Sequence, residues 1–381
     1  MKKLIFLTIL STLALVSCSA ESIPYSESSD LQMQNQSQFP TESIANYVPL
    51  NFTNQTGLWL PYMDFENYMY NKSEDEYRQE VKKIISSAKA EGINTLYFHV
   101  HPNGDAYYKS EIFPKGIYYT GEYDPLQIML NEAHDMGISI HAWINPYRMQ
   151  TVEQMESLPD DFIVKQWINE NSPMVKVINN RWYLNPAYDE VTELVSSSVD
   201  EILRNYNVDG IHIDDYFYPT TDTDFDKEAF EASGSSDLSQ WRQDNINKMV
   251  KSLYDTVKSN NKRVKFGISP QGNINANYNS QYADVKLWAG NQGYADYIIP
   301  QIYFSFKNTT CPFEPTLHEW EKLIGDSGVS LVIGLAEYKL GEEDKWAGEA
   351  GENEWIENPD IISQQIELVK KSSANGYALY R

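Results

Sequence analysis

The chain has 381 residues, with 54 Asp and Glu against 30 Lys and Arg and a formal net charge of −24 at pH 7. So acidic a balance argues against nucleic acid or anionic lipid headgroups as partners, and fits a neutral substrate or plain solubility. Only two cysteines are present, Cys18 and Cys311, so no disulfide is expected inside the folded part, which must be held by its core.

Taken in chain order, the first element is an address. Lys2 and Lys3 precede an apolar run, Leu4 to Val16, that is too short to span a bilayer. The run stops at Leu15-Val16-Ser17-Cys18, which has the form of a bacterial lipobox, so residues 1–18 read as a lipoprotein signal. Cys18 is then the lipidated residue, and the chain is expected in the cell envelope, exported and anchored to the membrane through that cysteine. Burial of the added acyl chains at ~0.8 kcal/mol per methylene makes several together a firm anchor. The alternative is an ordinary secretory signal with an incidental cysteine. Residues 19–52 are rich in Ser, Gln, Asn and Glu and poor in large apolar groups, which predicts a flexible tether. Residues 53–381 remain, enough for one large single-core domain, and no other segment is apolar for long enough to span a membrane.

From Gly57 the chain alternates short apolar strands with amphipathic helices. Strands are expected at 57–64, 94–101, 138–145, 209–215, 265–271, 297–304, 331–337 and 376–381. Helices are expected at 73–91, 125–136, 189–206, 239–260, 316–325 and 360–374. Ser73 and Glu76 have the spacing of a capping box, and Gly137 is a good C-terminal stop. Eight strands alternating with helices predict an α/β fold, a (β/α)8 TIM barrel. A doubly wound open sheet is the alternative, but no strand is followed by a Gly-rich phosphate loop. The chain stops at Arg381, inside the eighth strand and without an eighth helix, which favours a fragment of a longer protein.

Alternate residues of a barrel strand face the helices and the interior. In the fourth strand, Ile211 and Ile213 suit the helix-facing layer, which turns His212, Asp214 and Tyr216 inward. The second strand turns Tyr97, His99 and His101 inward, the third His141, Trp143 and Asn145, and the sixth Gln301 and Tyr303. Any one of these reads as readily as a hydrogen-bonded core residue. Their convergence on the C-terminal rim, where sites of this fold lie, marks a candidate site.

The run 208–219, Val-Asp-Gly-Ile-His-Ile-Asp-Asp-Tyr-Phe-Tyr-Pro, carries the sharpest chemical signal. Carboxylates at the end of a buried strand are costly unless they are used, and aromatic rings beside them suit a sugar face. Glycosidic hydrolysis needs a proton donor for the leaving oxygen and a group that attacks or stabilises the oxocarbenium-like carbon. Asp214 is the first candidate; Asp215 is adjacent but of opposite parity. Glu337, closing the seventh strand, is the candidate acid, although its parity points outward, and Asp64, Glu66 and Asp105 are fallbacks. The His-x-His of His99 and His101 keeps a metal-dependent hydrolase open, with His212 and Asp214 as the only further ligand candidates. No metal or other cofactor is part of the main reading, and Cys311 is expected to be inert.

Five motifs, in order along the chain, resemble the glycosyl-hydrolase-like 10 family. They are His-Ala-Trp-Ile-Asn-Pro-Tyr-Arg at 141–148, Leu184-Asn185-Pro186, the strand at 209–219, Gly267-Ile268-Ser269-Pro270 and Ile299-Pro300-Gln301-Ile302-Tyr303. The resemblance implies a (β/α)8 glycosidase fold and a cell-wall glycan substrate of the N-acetylated, peptidoglycan type, and leaves the catalytic pair open. Thr56 departs from the Arg often found before the Gly-x-Trp of the first strand. The 209–219 strand also resembles the Asp-Gly-x-Asp-x-Asp-x-Glu strand of chitinase-type family 18 enzymes. Tyr216 stands where those enzymes carry the acid and His212 where they carry the first inner Asp, which weakens a transfer of their mechanism. On the glycosidase reading, His99, His101, Asn145, Tyr147, Arg148, His212, Tyr216, Gln301 and Tyr303 bind sugar, and Trp59, Trp143 and Trp182 stack on rings. A glycan-binding lipoprotein without turnover is the alternative, favoured by the lack of an obvious acid.

Overall fold

The computed structural model describes residues 47–381. Cys18, the lipobox and residues 19–46 lie outside the described residues. Eight parallel strand positions form the sheet: Gln55–Leu60, Thr95–His101, Ser139–Ile144, Gly210–Ile213, Lys265–Ile268, Tyr297–Ile298, the pair Ser330–Leu331 and Ile333–Ala336, and Gly376–Tyr380. The seventh position is interrupted only at Val332. Its first piece pairs with the sixth strand and its second with the eighth, and the eighth pairs with the first. That sequence of pairings closes the sheet into a ring, the expected (β/α)8 barrel.

Several strands are shorter than the sequence predicts. The sixth holds regular pairing only at Tyr297–Ile298, and the fourth stops at Ile213. Beyond those points Asp214 stands on the loop that leaves the barrel and Gln301 holds isolated bridges to Gln271 and Gly334 at the rim, which is where function sits in this fold.

Helices cover the outside. Glu74–Ala90 begins at the predicted box, with Ser73 N–H donating to Glu76 Oε2 at 2.8 Å and Glu76 N–H to Ser73 Oγ at 3.4 Å. Pro125–Asp135 ends before Gly137, whose φ of +65° suits a residue without a Cβ. Asp189–Asn205, Leu238–Asn260, Phe313–Ile324 and Ile361–Lys371 follow. Ile211 and Ile213, with Leu96, Phe98 and Val100, pack outward into the apolar layer beneath these helices. The sequence reading missed a three-stranded antiparallel sheet, Arg148–Thr151, Val175–Ile178 and Arg181–Leu184, inserted between the third and fourth barrel strands. It also missed the helices Ile274–Gln281 and Val285–Gly290. Among the described residues, no helix is long and apolar enough to cross a membrane.

The barrel axis is filled by aromatic and polar side chains made to fit by glycines. A Cβ on Gly267 would lie 1.9 Å from Tyr297 Cζ, and one on Gly210 2.5 Å from His141 Nδ1. Those rings occupy the space that the two glycines leave.

Contacts with the barrel also reach back past the expected boundary at 53. Tyr47 O–H donates to Asp209 Oδ1 at 2.5 Å and Leu50 N–H to the same oxygen at 2.6 Å, while Asn261 Nδ2 donates to Tyr47 O at 3.1 Å. The last residues of the expected tether are therefore clasped at the N-terminal end of the fourth strand.

Candidate active site

A cavity of about 340 Å³ opens at the C-terminal end of the barrel. Its lining includes Asp214, Asp215, His99, Asn145, Arg148, Tyr216, Gln301 and Tyr303 among the predicted residues, together with Trp59 and Trp143. They come from the ends of five barrel strands or from the segments that follow them, so the closing of the barrel is what brings them together.

The two carboxylates sit in unlike surroundings. Asp214 is 3% exposed, and burial, then the charge of Asp215, pushes its carboxyl well above the usual carboxylate range. The Tyr216 N–H at 3.3 Å, the Trp143 side chain and the nearby Arg148 guanidinium oppose that rise without cancelling it. Asp215 is also raised by burial, but amide donors hold its anion: Gln281 Nε2 on Oδ2 and Gln301 Nε2 on Oδ1, each at 3.4 Å. Gln301 is itself oriented by donating to Ser269 O at 3.1 Å. Adjacent carboxyls driven apart in this way become one proton donor and one standing anion.

Aromatic side chains shape the walls. Trp143 stacks on His99 with ring centroids 3.6 Å apart and planes 8° from parallel. Tyr338 meets Tyr303 and Tyr380 edge-to-face while those two rings tilt 32° from each other, and Arg148 lies over the Tyr216 ring at 4.8 Å. Arg148 has no carboxylate within ion-pair distance among the described residues. Three side chains at the cavity keep buried polar atoms with no hydrogen bond of ordinary length: both ring nitrogens of His99, Trp143 Nε1, and Asn145 Oδ1, which is beside His99 and whose Nδ2 donates to Pro102 O at 2.9 Å. A polar ligand in the cavity would have these to bond.

Four predicted site residues stand elsewhere. Glu337 does not line the cavity; the strand ends at Ala336, Glu337 opens a short 3-10 turn, and its Oε2 accepts from Arg381 Nε at 2.8 Å. His101 is buried against Phe113, centroids 4.2 Å apart, because the pairing register shifts between His99 and His101 and turns its ring away. Tyr147 is fully buried in the main core.

His212 lies in the barrel axis, one layer below the cavity. Trp59 Nε1–H, which can only donate, reaches His212 Nε2 at 3.1 Å, so that nitrogen accepts. The ring is kept neutral by burial, and its proton must then sit on Nδ1, 3.2 Å from Tyr297 Oη. The Tyr297 O–H is left to donate to His141 Nδ1 at 2.7 Å. With both nitrogens of His212 engaged, the zinc ligand set of the metal reading does not assemble. Among the described residues no group of three or more His, Cys, Asp or Glu is placed to hold a metal. Of the fallback carboxyls, Asp105 is buried behind the site with Gln150 and Asn103, and Asp64 and Glu66 are absent from the lining. Trp182, expected to stack on sugar, is likewise absent from it. Tyr62, Tyr338 and Tyr380 line the cavity but were missed; only the inward parity of Tyr380, two residues after Ala378, was a usable signal.

The model of the glycosyl hydrolase-like 10 family matches residues 55–349. Among named proteins, the chain is similar to "Glycosyl hydrolase YngK" of Bacillus subtilis, 31% identical over 327 residues, covering 78% of this chain and 62% of that protein. It is likewise similar to "Glycosyl hydrolase DigH" of Escherichia coli K12, 32% identical over 309 residues, covering 73% of this chain and 69% of that protein. The chain thus spans somewhat under two thirds of the Bacillus protein. Among solved structures, the glycoside hydrolase domain of PgaB (BpsB) from Bordetella bronchiseptica superposes with a TM-score of 0.58 at 11% identity, covering 87% of this chain and 94% of that one. An α-L-fucosidase from Paenibacillus thiaminolyticus gives 0.55 at 11% identity, covering 86% and 46%. At that identity these two establish the barrel and nothing finer. The family match extends over most of the barrel and spans all five sequence motifs, so the chain belongs to the glycosyl hydrolase-like 10 family.

Proposed function

We propose that this protein hydrolyses glycosidic bonds of an N-acetylated, peptidoglycan-type cell-wall glycan, held at the cell envelope by a lipid anchor on Cys18. The observation that carries the reading is the pair Asp214 and Asp215 in an aromatic-walled cavity at the catalytic end of the barrel. Membership of a glycosyl hydrolase-like family supports the reaction class. The lipobox at 15–18 supports the location, and the sequence resemblance supports the glycan.

In this mechanism Asp214, kept protonated by its burial and by its neighbour's charge, donates to the leaving glycosidic oxygen. Asp215, held as an anion by Gln281 and Gln301, stabilises the positive charge that builds at the anomeric carbon, or orients the attacking group. Asn145 Oδ1, His99 and Tyr303 bond sugar hydroxyls, and Trp59 and the tyrosines pack against pyranose faces.

The test incubates the full chain with purified peptidoglycan, with and without its stem peptides, and identifies products by mass spectrometry. New reducing ends are expected, and Asp214→Asn is expected to slow their release by at least ~100-fold, the usual size of a general-acid contribution. Retention of the glycan without cleavage would instead make the protein a glycan-binding lipoprotein. Undiminished turnover by Asp214→Asn would remove Asp214 from the acid role.

A further inference from the structure

A second hollow, about 460 Å³, lies beside the first. The two share Asp215, Gln301, Tyr303 and Tyr338 in their walls, so they are consecutive stretches of one groove. The far stretch differs in chemistry. Its sides carry the amides of Gln271, Asn273 and Asn308, and Trp346 stands on its rim.

Trp346 is 90% exposed, far more than any other large apolar side chain among the described residues. An indole left in water is usually a cost without a return, and here its backbone is tightly held. Asp344 Oδ1 accepts from the Trp346 N–H at 3.2 Å, and Asp344, nearly buried, pairs with Lys339 Nζ at 2.8 Å. The same ammonium donates to Tyr303 O at 2.9 Å, which ties the loop to the wall of the catalytic cavity. Thr309 N–H donates to Ala347 O at 2.9 Å, joining it to the opposite lip. Gly348 completes the turn at φ +75°, where a Cβ would lie 2.3 Å from Thr309 Oγ1. A rigid loop therefore presents a large flat ring beside amide donors and acceptors, and tyrosines 303, 338 and 380 continue that aromatic surface into the catalytic cavity.

We infer that this second hollow is a distal sugar subsite, with Trp346 as the platform for a pyranose ring of the same glycan chain, some units from the bond that is cut. Flat aromatic faces suit the axial C–H face of a pyranose, and side-chain amides suit its equatorial hydroxyls and acetamido groups. Because the loop is already ordered, little conformational freedom is lost on binding. The inference rests on the glycosidase reading above and deepens it: the preferred substrate is a polymer that fills the whole groove.

The test uses the full chain carrying Asp214→Asn, so that binding is read without turnover, and β-1,4-linked N-acetylglucosamine dimer and hexamer as probes in calorimetry. The hexamer is expected to bind about tenfold more tightly than the dimer. Adding Trp346→Ala should abolish that gain and leave dimer affinity unchanged, and Trp346→Phe, which keeps a flat ring, should retain most of it. Hexamer binding unaltered by Trp346→Ala would overturn the subsite while leaving the glycosidase reading intact. Binding of neither probe would overturn the subsite, while the glycosidase reading stands or falls on the peptidoglycan products.

Discussion

Asp214 and Asp215 are adjacent in sequence, yet their surroundings give them opposite tasks, and this makes a pH prediction. Asp214 titrates above the ordinary carboxylate range because of burial and its neighbour's charge, so loss of its proton sets the alkaline limb of the rate profile. Asp215 must be ionised, so its protonation sets the acidic limb. Gln301→Leu removes one amide donor from the Asp215 anion and should move the acidic limb of kcat/KM upward by roughly one pH unit. The alkaline limb should stay in place; equal movement of both limbs would mean that the pair titrates as a unit. Strand parity, read from sequence, was enough to turn Asp214, Asn145 and Gln301 toward this cavity. It failed where a side chain's surroundings depend on more than alternation. Alternation turns Asp215 aside only if the strand runs through it, and regular pairing ends at Ile213. His212 does point inward, but an inward side chain below the rim meets other side chains, and only the depth of the layer separates it from Asp214.

Elements decide such matters through where they start, stop and slip. The fourth strand carries aspartates at both ends, and its alternation alone does not say which end faces substrate. Asp209 is at the N-terminal end, with a fully buried side chain that accepts from Tyr47 O–H, Leu50 N–H, Ile140 N–H at 2.7 Å and the imidazole of His134 at 2.9 Å. It clasps the incoming chain, the third strand and the helix Pro125–Asp135 together. Asp209→Ala leaves buried N–H groups without acceptors and should cost roughly 3 kcal/mol. The check is a urea midpoint lowered at unchanged m-value, with the activity of the remaining folded protein retained. Lost activity at unchanged stability would give Asp209 a catalytic part that its position denies. The eight strand positions were legible because each shows a short apolar run between helical periods. The inserted sheet was not, because its strands are four residues long and pair with one another rather than with the barrel. The slip between His99 and His101 likewise leaves no mark on the alternation of that strand.

Over the whole molecule, burial works against the titration that composition alone implies. Asp64, Asp105, Asp124, Glu201, Asp214 and Asp215 are all raised by burial, and His99, His101, His141 and His212 are all lowered by it. The two sets act on stability with opposite signs. A carboxyl raised in the folded state contributes stability that is present in full below its unfolded pKa and is lost as pH rises through its folded value. An imidazole lowered in the folded state contributes stability that is present above its unfolded pKa and is lost as pH falls through its folded value. Asp105, pushed up to about 6, and His101, pushed down to about 4, show the opposition between near neighbours in one loop region. At about pH 5 folding takes up a proton at Asp105 and releases one at His101, so the two nearly cancel. Asp105→Asn should break the cancellation: its stability relative to the unmutated chain should be poorest near pH 4 and recover as pH rises past about 6. His101→Asn should do the reverse, comparing worst above pH 6.5 and gaining as pH falls toward 4. Urea unfolding of the three proteins across that range measures both slopes. Parallel curves would mean that neither group changes its protonation on folding, and that burial alone does not govern the charge of this acidic barrel.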